Sequence, residues 1–308
     1  MIECVIMKIK KIVVVAVALV AVLLSVVIFK SDDSFTIASF NVRGPFDGGV
    51  NSLKQRMPRI VKVIRDNKFD IFGMQEAVTN HLVYLDEALP EYKRIGCGRE
   101  KDRGGEGMYI YYRADRFECH ENGTYWLSMT PDVPGSKYPS AGCPRTCTWG
   151  IFTDKKTNKK FRYLNTHLDH ISSQARIDGV NVLIENSIAP AKAAGETILL
   201  TGDLNAKLGN PDSPDAVKEL TGDKLIESAK TNPIALLYTV LNDTYAVSKT
   251  PHVGTFGTFS GYKGMPTRRI DYIFVTDNVT VHSHATVNDR PDGNFPSDHD
   301  PVKAVVSW

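Results

Sequence analysis

The stretch TILLTGDLN, residues 197–205, sets the pattern by which the rest of the chain can be interpreted. Its first five residues are apolar or β-branched and predict a buried strand, and the turn that follows carries Asp203 and Asn205. Polar residues stand at the same end of three other strand-like runs, namely Asn41 after 35–40, Glu76 after 71–75 and His167 after 161–166. An isolated polar residue at a strand end is commonly a turn former or a helix cap. Its repetition along one chain predicts instead that these side chains meet in one site.

Two further motifs extend this pattern towards the C-terminus. RIDY, residues 269–272, brings Asp271 to the start of a strand-like run, and SDHDP, residues 297–301, places Asp298 and His299 before the last run. The strand-like runs are 35–42, 71–75, 108–112, 161–166, 197–201, 270–275 and 302–307. Helical patterns lie between them, a hairpin is expected at 154–160, and no repeat or long linker divides the chain after residue 33. We therefore expect a single α/β sandwich domain over residues 34–308.

The first 33 residues differ from the rest of the chain. Residues 12–29 form an apolar run interrupted only by Ser25, which as a helix is about 27 Å long, and three lysines precede it. The pattern is typical of an uncleaved membrane anchor or, as the alternative, of a secretory signal peptide. The polar exit at 30–33 is a poor cleavage site and favours the anchor. Either interpretation places residues 34–308 outside the cytoplasm, tethered to a membrane or secreted.

Composition and charge exclude several classes of protein. With 42% hydrophobic and 23% charged residues, the chain is not intrinsically disordered. The net charge is +2, and the four lysines of the first thirty residues account for it, so the remainder is nearly neutral. A neutral body lacks the basic footprint of a dedicated nucleic-acid binder. It does not exclude an anionic phosphoester substrate, because several of the acidic residues are assigned to the site.

The residue types of the motifs indicate their chemistry. Carboxylate and amide oxygens without cysteine favour a hard cation, Mg²⁺ or Mn²⁺, over zinc. The sequence contains neither the G-x-S-x-G elbow of serine hydrolases nor a Walker glycine loop. A hard cation, two histidines and orienting carboxylates suit the hydrolysis of a phosphate ester by water.

Taken together, the motifs resemble a known family. Residues 39–43, 70–76, 165–169, 201–205, 269–272 and 297–299 are similar, in order and spacing, to the motifs of the endonuclease/exonuclease/phosphatase superfamily, in its secreted bacterial branch. The resemblance covers about residues 35–308. It implies a four-layer α/β/β/α sandwich, in which two packed mixed β-sheets are flanked by helices and the site lies at one end of the sheets.

The resemblance also implies roles for individual residues. The divalent cation would be held by three residues, Asn41, Glu76 and Asp298. The catalytic residues would be His167, Asp203, Asn205, Asp271, His299 and Glu106. Within this set, Asp203 and Asn205 would position the water or the phosphate, and Asp271 would orient His299. Glu106 would pair with His167, which contacts the phosphate from the other side.

Several residues keep two interpretations from the sequence. Arg43 and Arg145 either bind phosphate or form ordinary ion pairs. Phe256, Phe259 and Tyr262 either line the substrate pocket or pack in the core. The cysteines at 97, 119, 143 and 147 are either reduced or joined in one of three pairings.

The function expected from these observations is a metal-dependent phosphodiesterase or phosphatase that acts outside the cytoplasm as a monomer. Its substrate is left open among a lipid head group, an inositol phosphate, a small phosphodiester and a nucleic acid. An extracytoplasmic DNA or RNA nuclease is the first alternative. A non-catalytic binding protein on the same fold is the second, and it is disfavoured because each implied catalytic position holds a competent residue type.

Overall fold

The apolar runs of the sequence are strands in the computed structural model, which describes residues 33–209 and 213–308. In chain order the strands β1 to β12 are Phe35–Asn41, Ile71–Ala77, Tyr92–Gly98, Gly107–Arg113, Phe117–Trp126, Thr146–Asp154, Lys159–His167, Thr197–Asp203, Asn242–Asp243, Asp271–Val275, Thr280–Thr286 and Val302–Ser307. They form two six-stranded sheets, with the orders β11-β12-β1-β2-β4-β3 and β5-β6-β7-β8-β10-β9. Each sheet has one parallel pair, β1 with β2 and β7 with β8, among antiparallel neighbours. Both sheets are therefore mixed, as expected.

Helices connect the strands of each sheet. In chain order α1 to α8 are Leu53–Asp66, Thr79–Ala88, Ser173–Leu183, Ala189–Ala193, Pro214–Glu219, Gly222–Ala229, Pro233–Tyr238 and Thr244–Val247. A π-helical turn, Ile184–Ile188, joins α3 to α4, and short 3₁₀ turns cover Gly49–Asn51 and Pro291–Gly293. Ser172 caps the start of α3, because its Oγ accepts the Ala175 N–H at 3.1 Å and so satisfies a donor of the first turn.

Three apolar clusters separate the layers of the described chain. Neighbouring residues on a strand face opposite ways, so Ile71 joins the cluster between the two sheets while Phe72 joins the cluster beneath α1 and α2. In the second sheet Leu199 faces the first sheet, and Leu200 packs with residues of α3 and α7. The order is thus helices, sheet, sheet, helices, which confirms the predicted four-layer sandwich.

A buried polar contact fixes the two sheets at the end where the site lies. Gln75 Nε2 on β2 donates to Asn165 Oδ1 on β7 at 2.7 Å, and the Asn165 amide donates to the Met74 carbonyl at 3.0 Å. Gly73 allows this approach, because a Cβ there would lie 2.1 Å from Thr201 Oγ1. The ends of β2, β7 and β8 are therefore held together across the sandwich.

The expected N-terminal segment, residues 1–33, lies almost entirely outside the described residues, as does its apolar run at 12–29. Among the residues that are described, none of the helices has both the length and the apolar character needed to cross a membrane. Residues Phe35–Trp308 form one compact unit. The four described cysteines, Cys97, Cys119, Cys143 and Cys147, are free thiols.

Candidate active site

Strand register brings three of the expected site residues side by side. In the parallel pair β7–β8 His167 lies opposite Asp203, and in the antiparallel pair β8–β10 Asp203 lies opposite Asp271. Asp271 begins its strand and the other two end theirs, yet the antiparallel pairing puts all three at one edge of the sheet. Asp203 thus stands between the other two residues.

The first sheet supplies the other half of the site. Asn41 ends β1 opposite Gln75 of β2, which puts Glu76 beside it. The Asn41 Nδ2 group donates to Glu76 Oε1 and to Asp203 Oδ2, both at 2.9 Å, and so links the two sheets. Ser297 Oγ donates to the Asn41 carbonyl at 2.7 Å, which anchors the loop that carries Asp298 and His299.

Three residues at the site have a left-handed backbone that non-glycine residues rarely adopt. The φ angles are 56° at Arg43, 61° at Glu76 and 46° at Asn205. Such conformations cost on the order of 1–3 kcal/mol each and cluster at functional sites. The left-handed backbone at these three residues is therefore a further indication of a functional site.

His299 lies between two carboxylates, those of Asp271 and Asp203. Its Nδ1 lies 2.8 Å from Asp271 Oδ2, which also accepts the Thr258 hydroxyl at 2.6 Å. Its Nε2 lies 3.7 Å from Asp203 Oδ2. Burial alone would lower the pKa of His299, but the Asp271 and Asp203 carboxylates outweigh it and raise the pKa to about 10. His299 is therefore an imidazolium at neutral pH, and the structure makes the expected contact with Asp271.

Asp203 is the most constrained carboxylate of the site. It is buried, and burial together with the adjacent Asp271 charge raises the pKa of Asp203 to about 7, against the opposing effect of His299. Its Oδ1 accepts the Asn205 N–H at 2.9 Å, while Oδ2 faces Asn41 and both histidines. One carboxylate oxygen is thus shared among the groups expected to act on substrate.

His167 has a different environment on the other side of Asp203. Its Nε2 lies 2.8 Å from Asn205 Nδ2 and 3.3 Å from Asp203 Oδ2, whereas its Nδ1 has no hydrogen-bond partner among the described residues. Burial, and then the positive charge of Arg145, hold the pKa of His167 well below its ordinary value. His167 is therefore a neutral imidazole at neutral pH.

The structure does not make the expected contact of Glu106 with His167, whose Nδ1 has no hydrogen-bond partner among the described residues. The Glu106 carboxylate accepts Arg99 Nη1 at 2.6 Å instead. The cause is local: Arg99 and Glu106 stand opposite each other at the ends of β3 and β4, where the Arg99 N–H donates to the Glu106 carbonyl at 2.9 Å. A guanidinium across a hairpin is a stronger partner for a carboxylate than a buried neutral imidazole.

These residues surround a cavity of about 610 Å³. Of the expected site residues, those that line it are Glu76, Glu106, His167, Asp203, Asn205, Asp298 and His299. Asn41 and Asp271 lie behind them and orient them. Of the residues with two interpretations, Arg43, Arg145, Phe259 and Tyr262 line the cavity, and Phe256 packs against Tyr245.

Sequence reasoning missed other lining residues, namely Phe46, Asp47, Arg99 and Arg268. Asp47 accepts Arg43 Nε at 3.0 Å. Arg268 stands directly before the RIDY motif and stacks on Phe259, its Cζ 4.3 Å from the ring centroid. The position of Arg268 next to the RIDY motif is the one feature of the sequence that could have identified it as a site residue. The others lie on loops whose approach to the cavity depends on the whole fold.

The donor set fits a divalent cation. One ligand atom each from Glu76, His167 and Asp203 lie within 4.8 Å of one another, and Asp203, Asp271 and His299 form a second such group. Asn41 turns its amide nitrogen to the carboxylates and its Oδ1 to the Arg43 N–H at 2.9 Å. Asp298 belongs to neither group, and its Oδ2 lies 3.7 Å from Arg43 Nε. Glu76 and Asp203 could thus supply ligand atoms, and the assignment of Glu76, Asn41 and Asp298 as metal ligands stays a prediction.

Comparison with known proteins agrees with this geometry. The chain belongs to the endonuclease/exonuclease/phosphatase family, whose model matches residues 38–299. A mannosyl-6-phosphatase from Bacteroides thetaiotaomicron is 32% identical with a TM-score of 0.75, over 89% of this chain and 100% of that one. A functionally unknown conserved protein from Enterococcus faecalis is 31% identical with a TM-score of 0.73, over 89% of this chain and 99% of that one.

A more distant likeness shows the fold alone. The D. rerio TDP2 protein in complex with a single-stranded DNA product is 16% identical with a TM-score of 0.66, over 90% of this chain and 100% of that one. None of the curated proteins matches the chain. The chain is thus a member of a family of phosphoester-cleaving enzymes, with all four layers of the fold present.

Proposed function

We propose that this protein is a divalent-metal-dependent hydrolase of phosphate esters that uses Mg²⁺ or Mn²⁺ and acts outside the cytoplasm. The observation that carries the proposal is Asp203, whose Oδ2 lies 3.3 Å from His167 Nε2 and 3.7 Å from His299 Nε2 at the floor of the cavity. A carboxylate between two imidazoles, with a further acidic residue within ligand distance, suits attack of water on phosphorus.

The metal would be held by the carboxylate of Glu76, with Asn41 and Asp298 as the further residues that the family resemblance assigns, and Asp203 lies next to Glu76. When bound, it supplies positive charge that offsets the charge of the phosphate. The fit is electrostatic as well as geometric. Burial and the neighbouring Asp271 disfavour the ionised form of Asp203, and a cation would favour it.

The chain's own residues then have distinct tasks. Asp271 accepts the proton-bearing Nδ1 of His299, so that Nε2–H faces Asp203 and the cavity. The imidazolium of His299 donates to the phosphate and stabilises the charge that develops on it. Asp203 Oδ2 is placed to accept a proton from the attacking water, and Asn205 positions His167 on the opposite side. The water oxygen forms the new bond to phosphorus as the ester oxygen leaves.

For the substrate we propose a phosphoester borne by a sugar-like alcohol. The support is the mannosyl-6-phosphatase, which is 32% identical and matched over its whole length. A cavity of about 610 Å³ is of the size that takes a small molecule. The near-neutral charge of residues 34–308 disfavours a long nucleic acid.

The test uses the purified full chain with a panel of mannose 6-phosphate, p-nitrophenyl phosphate, bis(p-nitrophenyl) phosphate, an inositol phosphate, a phospholipid and plasmid DNA. We expect hydrolysis that EDTA abolishes and that Mg²⁺ or Mn²⁺ restores, and that His299→Ala and Asp203→Ala remove. His282→Ala, on β11 outside the cavity, is the matched control. Lack of hydrolysis across the panel contradicts the proposal and favours a binding protein. Hydrolysis that is indifferent to both substitutions contradicts the assignment of this site.

The location outside the cytoplasm has its own test, because it rests on residues 1–33. Fractionated cells should retain the protein in the membrane after a high-salt wash if the segment is an anchor. Release of a shortened soluble form outside the cell would show cleavage instead. Recovery of the full chain in the cytoplasm contradicts this part of the proposal.

A further inference from the structure

Four arginines line the cavity, and they differ in how their charges are balanced. Arg43 pairs with Asp47 at 3.0 Å, and Arg99 pairs with Glu106 at 2.6 Å. Arg145 forms no ion pair with a carboxylate of the described residues. It is also buried, with 5% of its side chain surface exposed. A buried cation without a carboxylate is costly unless a ligand completes its contacts.

The contacts of Arg145 are incomplete. Its Nη2 lies 3.0 Å from His170 Nδ1, whereas Nε and Nη1 have no hydrogen-bond partner among the described residues. The Arg145 charge acts to lower the pKa values of two carboxylates, those of Asp169 and Glu106, but both carboxylates make their hydrogen bonds to other groups. Asp169 accepts the N–H groups of Gly142, Ile171 and Ser172. The guanidinium therefore keeps two nitrogens without hydrogen-bond partners and a charge that forms no direct ion pair among the described residues.

The position of Arg145 relates these donors to the reacting centre. The residue directly precedes β6, on which Cys147 pairs with Thr166, the neighbour of His167. The Arg145 charge is also the largest electrostatic contribution that lowers the pKa of His167. Arg145 thus lies on the His167 side of the cavity, across Asp203 from His299.

We propose that Arg145 binds an unesterified oxygen of a terminal phosphate, so that the enzyme prefers phosphate monoesters to diesters. The inference rests on the proposed function. A diester has two unesterified oxygens and one negative charge, which a bound divalent cation and the His299 imidazolium would offset. A monoester has a third oxygen and, at neutral pH, nearly a second charge. Arg145 lines the cavity and brings one positive charge to it, and two of its nitrogens, Nε and Nη1, are buried without a hydrogen-bond partner among the described residues.

The chemistry of arginine, compared with that of lysine, determines which variants of Arg145 test the proposal. A guanidinium keeps its charge when buried and presents several N–H donors in a plane, whereas a lysine in the same place is a single flexible ammonium. Arg145→Met removes both the charge and the donors at similar volume. Arg145→Lys keeps the charge and loses the planar donors. Arg162→Ala is the matched control, because Arg162 lies on β7 and pairs with Glu196 away from the cavity.

The first experiment compares kcat/KM for p-nitrophenyl phosphate and bis(p-nitrophenyl) phosphate with saturating Mg²⁺. We expect Arg145→Met to lower the monoester value roughly 10- to 100-fold and the diester value less than about threefold. Arg145→Lys should fall between, and Arg162→Ala should change neither. Equal losses on both substrates, or a larger loss on the diester, overturn the inference.

The second experiment measures binding without turnover. In calorimetry of the full chain we expect Arg145→Met to weaken inorganic phosphate roughly 10-fold or more, and dimethyl phosphate little. Its Tm should stay the same or rise, because a buried charge without a carboxylate has been removed. A lower Tm with unchanged phosphate binding shows a structural role and overturns the inference. If the wild type hydrolyses neither ester, the proposed function fails, while the phosphate measurement still decides the role of Arg145.

Discussion

The two histidines of the site stand on either side of Asp203, yet their surroundings differ. His299 has a carboxylate at Nδ1, and Asp271 and Asp203 raise its pKa to about 10 in spite of burial. The Nδ1 of His167 has no hydrogen-bond partner in the described part of the chain, and burial with the Arg145 charge holds the pKa of His167 well below its ordinary value. One is a fixed cation and the other a neutral ring, although both lie within 4 Å of the same carboxylate oxygen.

Two histidines beside the same carboxylate therefore need not have the same protonation state. The carboxylate behind each ring decides it: Asp271 contacts His299, whereas the carboxylate expected behind His167 is bound by Arg99. The positive charge on the His167 side therefore belongs to Arg145 rather than to the imidazole. The two halves of the site recognise an anion by different groups.

Removal of the imidazole ring of His299 or His167 should lower kcat more than the other substitutions below. His299→Ala should lower kcat about 1000-fold or more, because it removes a cation next to the phosphate, and His167→Ala about 100-fold, because it removes a neutral hydrogen-bonding group. Steady-state kinetics on the best substrate of the panel measures both, with His282→Ala as the control. A larger loss for His167→Ala would contradict the assignment of charge.

A smaller loss should follow when the carboxylate behind His299 is neutralised. Asp271→Asn keeps the volume but removes the charge that favours the imidazolium, so we expect kcat to fall about 100-fold with a smaller change in KM. Asp277→Asn, near the other end of β10 and exposed, is the matched control. An unchanged kcat would show that Asp271 has no part in orienting His299.

Neutralising Glu106, the carboxylate expected beside His167, should lower kcat/KM only mildly. Glu106→Gln removes a partner of Arg99, not of His167, and we expect less than about a 10-fold loss in kcat/KM. Glu100→Gln, which touches the same arginine from an exposed position, is the control. A loss as large as that of Asp271→Asn would restore the Glu106–His167 pair that the sequence suggested.

The smallest effect on activity concerns Thr258, which supports Asp271. Its hydroxyl donates to Asp271 Oδ2 and accepts the N–H groups of Ile270 and Asp271 at 3.1 and 3.2 Å. Thr258→Val leaves the Ile270 and Asp271 N–H groups without this acceptor and Asp271 Oδ2 with only His299, and should destabilise the fold by about 1–3 kcal/mol, with a several-fold loss in kcat. Chemical denaturation measures the first and kinetics the second. Thr258→Ser should restore both, and a failure to do so would mean that packing of the methyl group matters more.

Much of the fold could be predicted because the buried positions of several strands are apolar or β-branched. The runs at 71–75, 197–201 and 302–307 all belong to strands of the predicted kind. The predicted runs do not include β3, β5, β6, β9 and β11. Strands β3, β5 and β11 are partly exposed and carry glycine, charged or histidine residues, β9 has two residues, and β6 is largely buried but was expected only as one side of the hairpin at 154–160. Their place in the sheets is decided by pairing with neighbours, which a local pattern does not encode.

The site was predictable where strand register alone sets it. His167, Asp203 and Asp271 end or begin paired strands, so their meeting follows from topology. Glu106 could not be placed correctly, because its partner depends on which cation the β3–β4 hairpin brings closest. Arg145 kept two interpretations for a related reason: whether an arginine is paired is a property of the folded surroundings, not of its sequence neighbours.

The most direct test of the difference between the two histidines is their titration in the metal-free full chain, followed by NMR of the imidazole nitrogens with EDTA present. Between pH 6 and pH 8 we expect His299 to stay protonated at both nitrogens and His167 to stay neutral, since their pKa values lie above and below that window. Two rings that titrate together near pH 6.5, or a protonated His167 beside a neutral His299, would contradict the account.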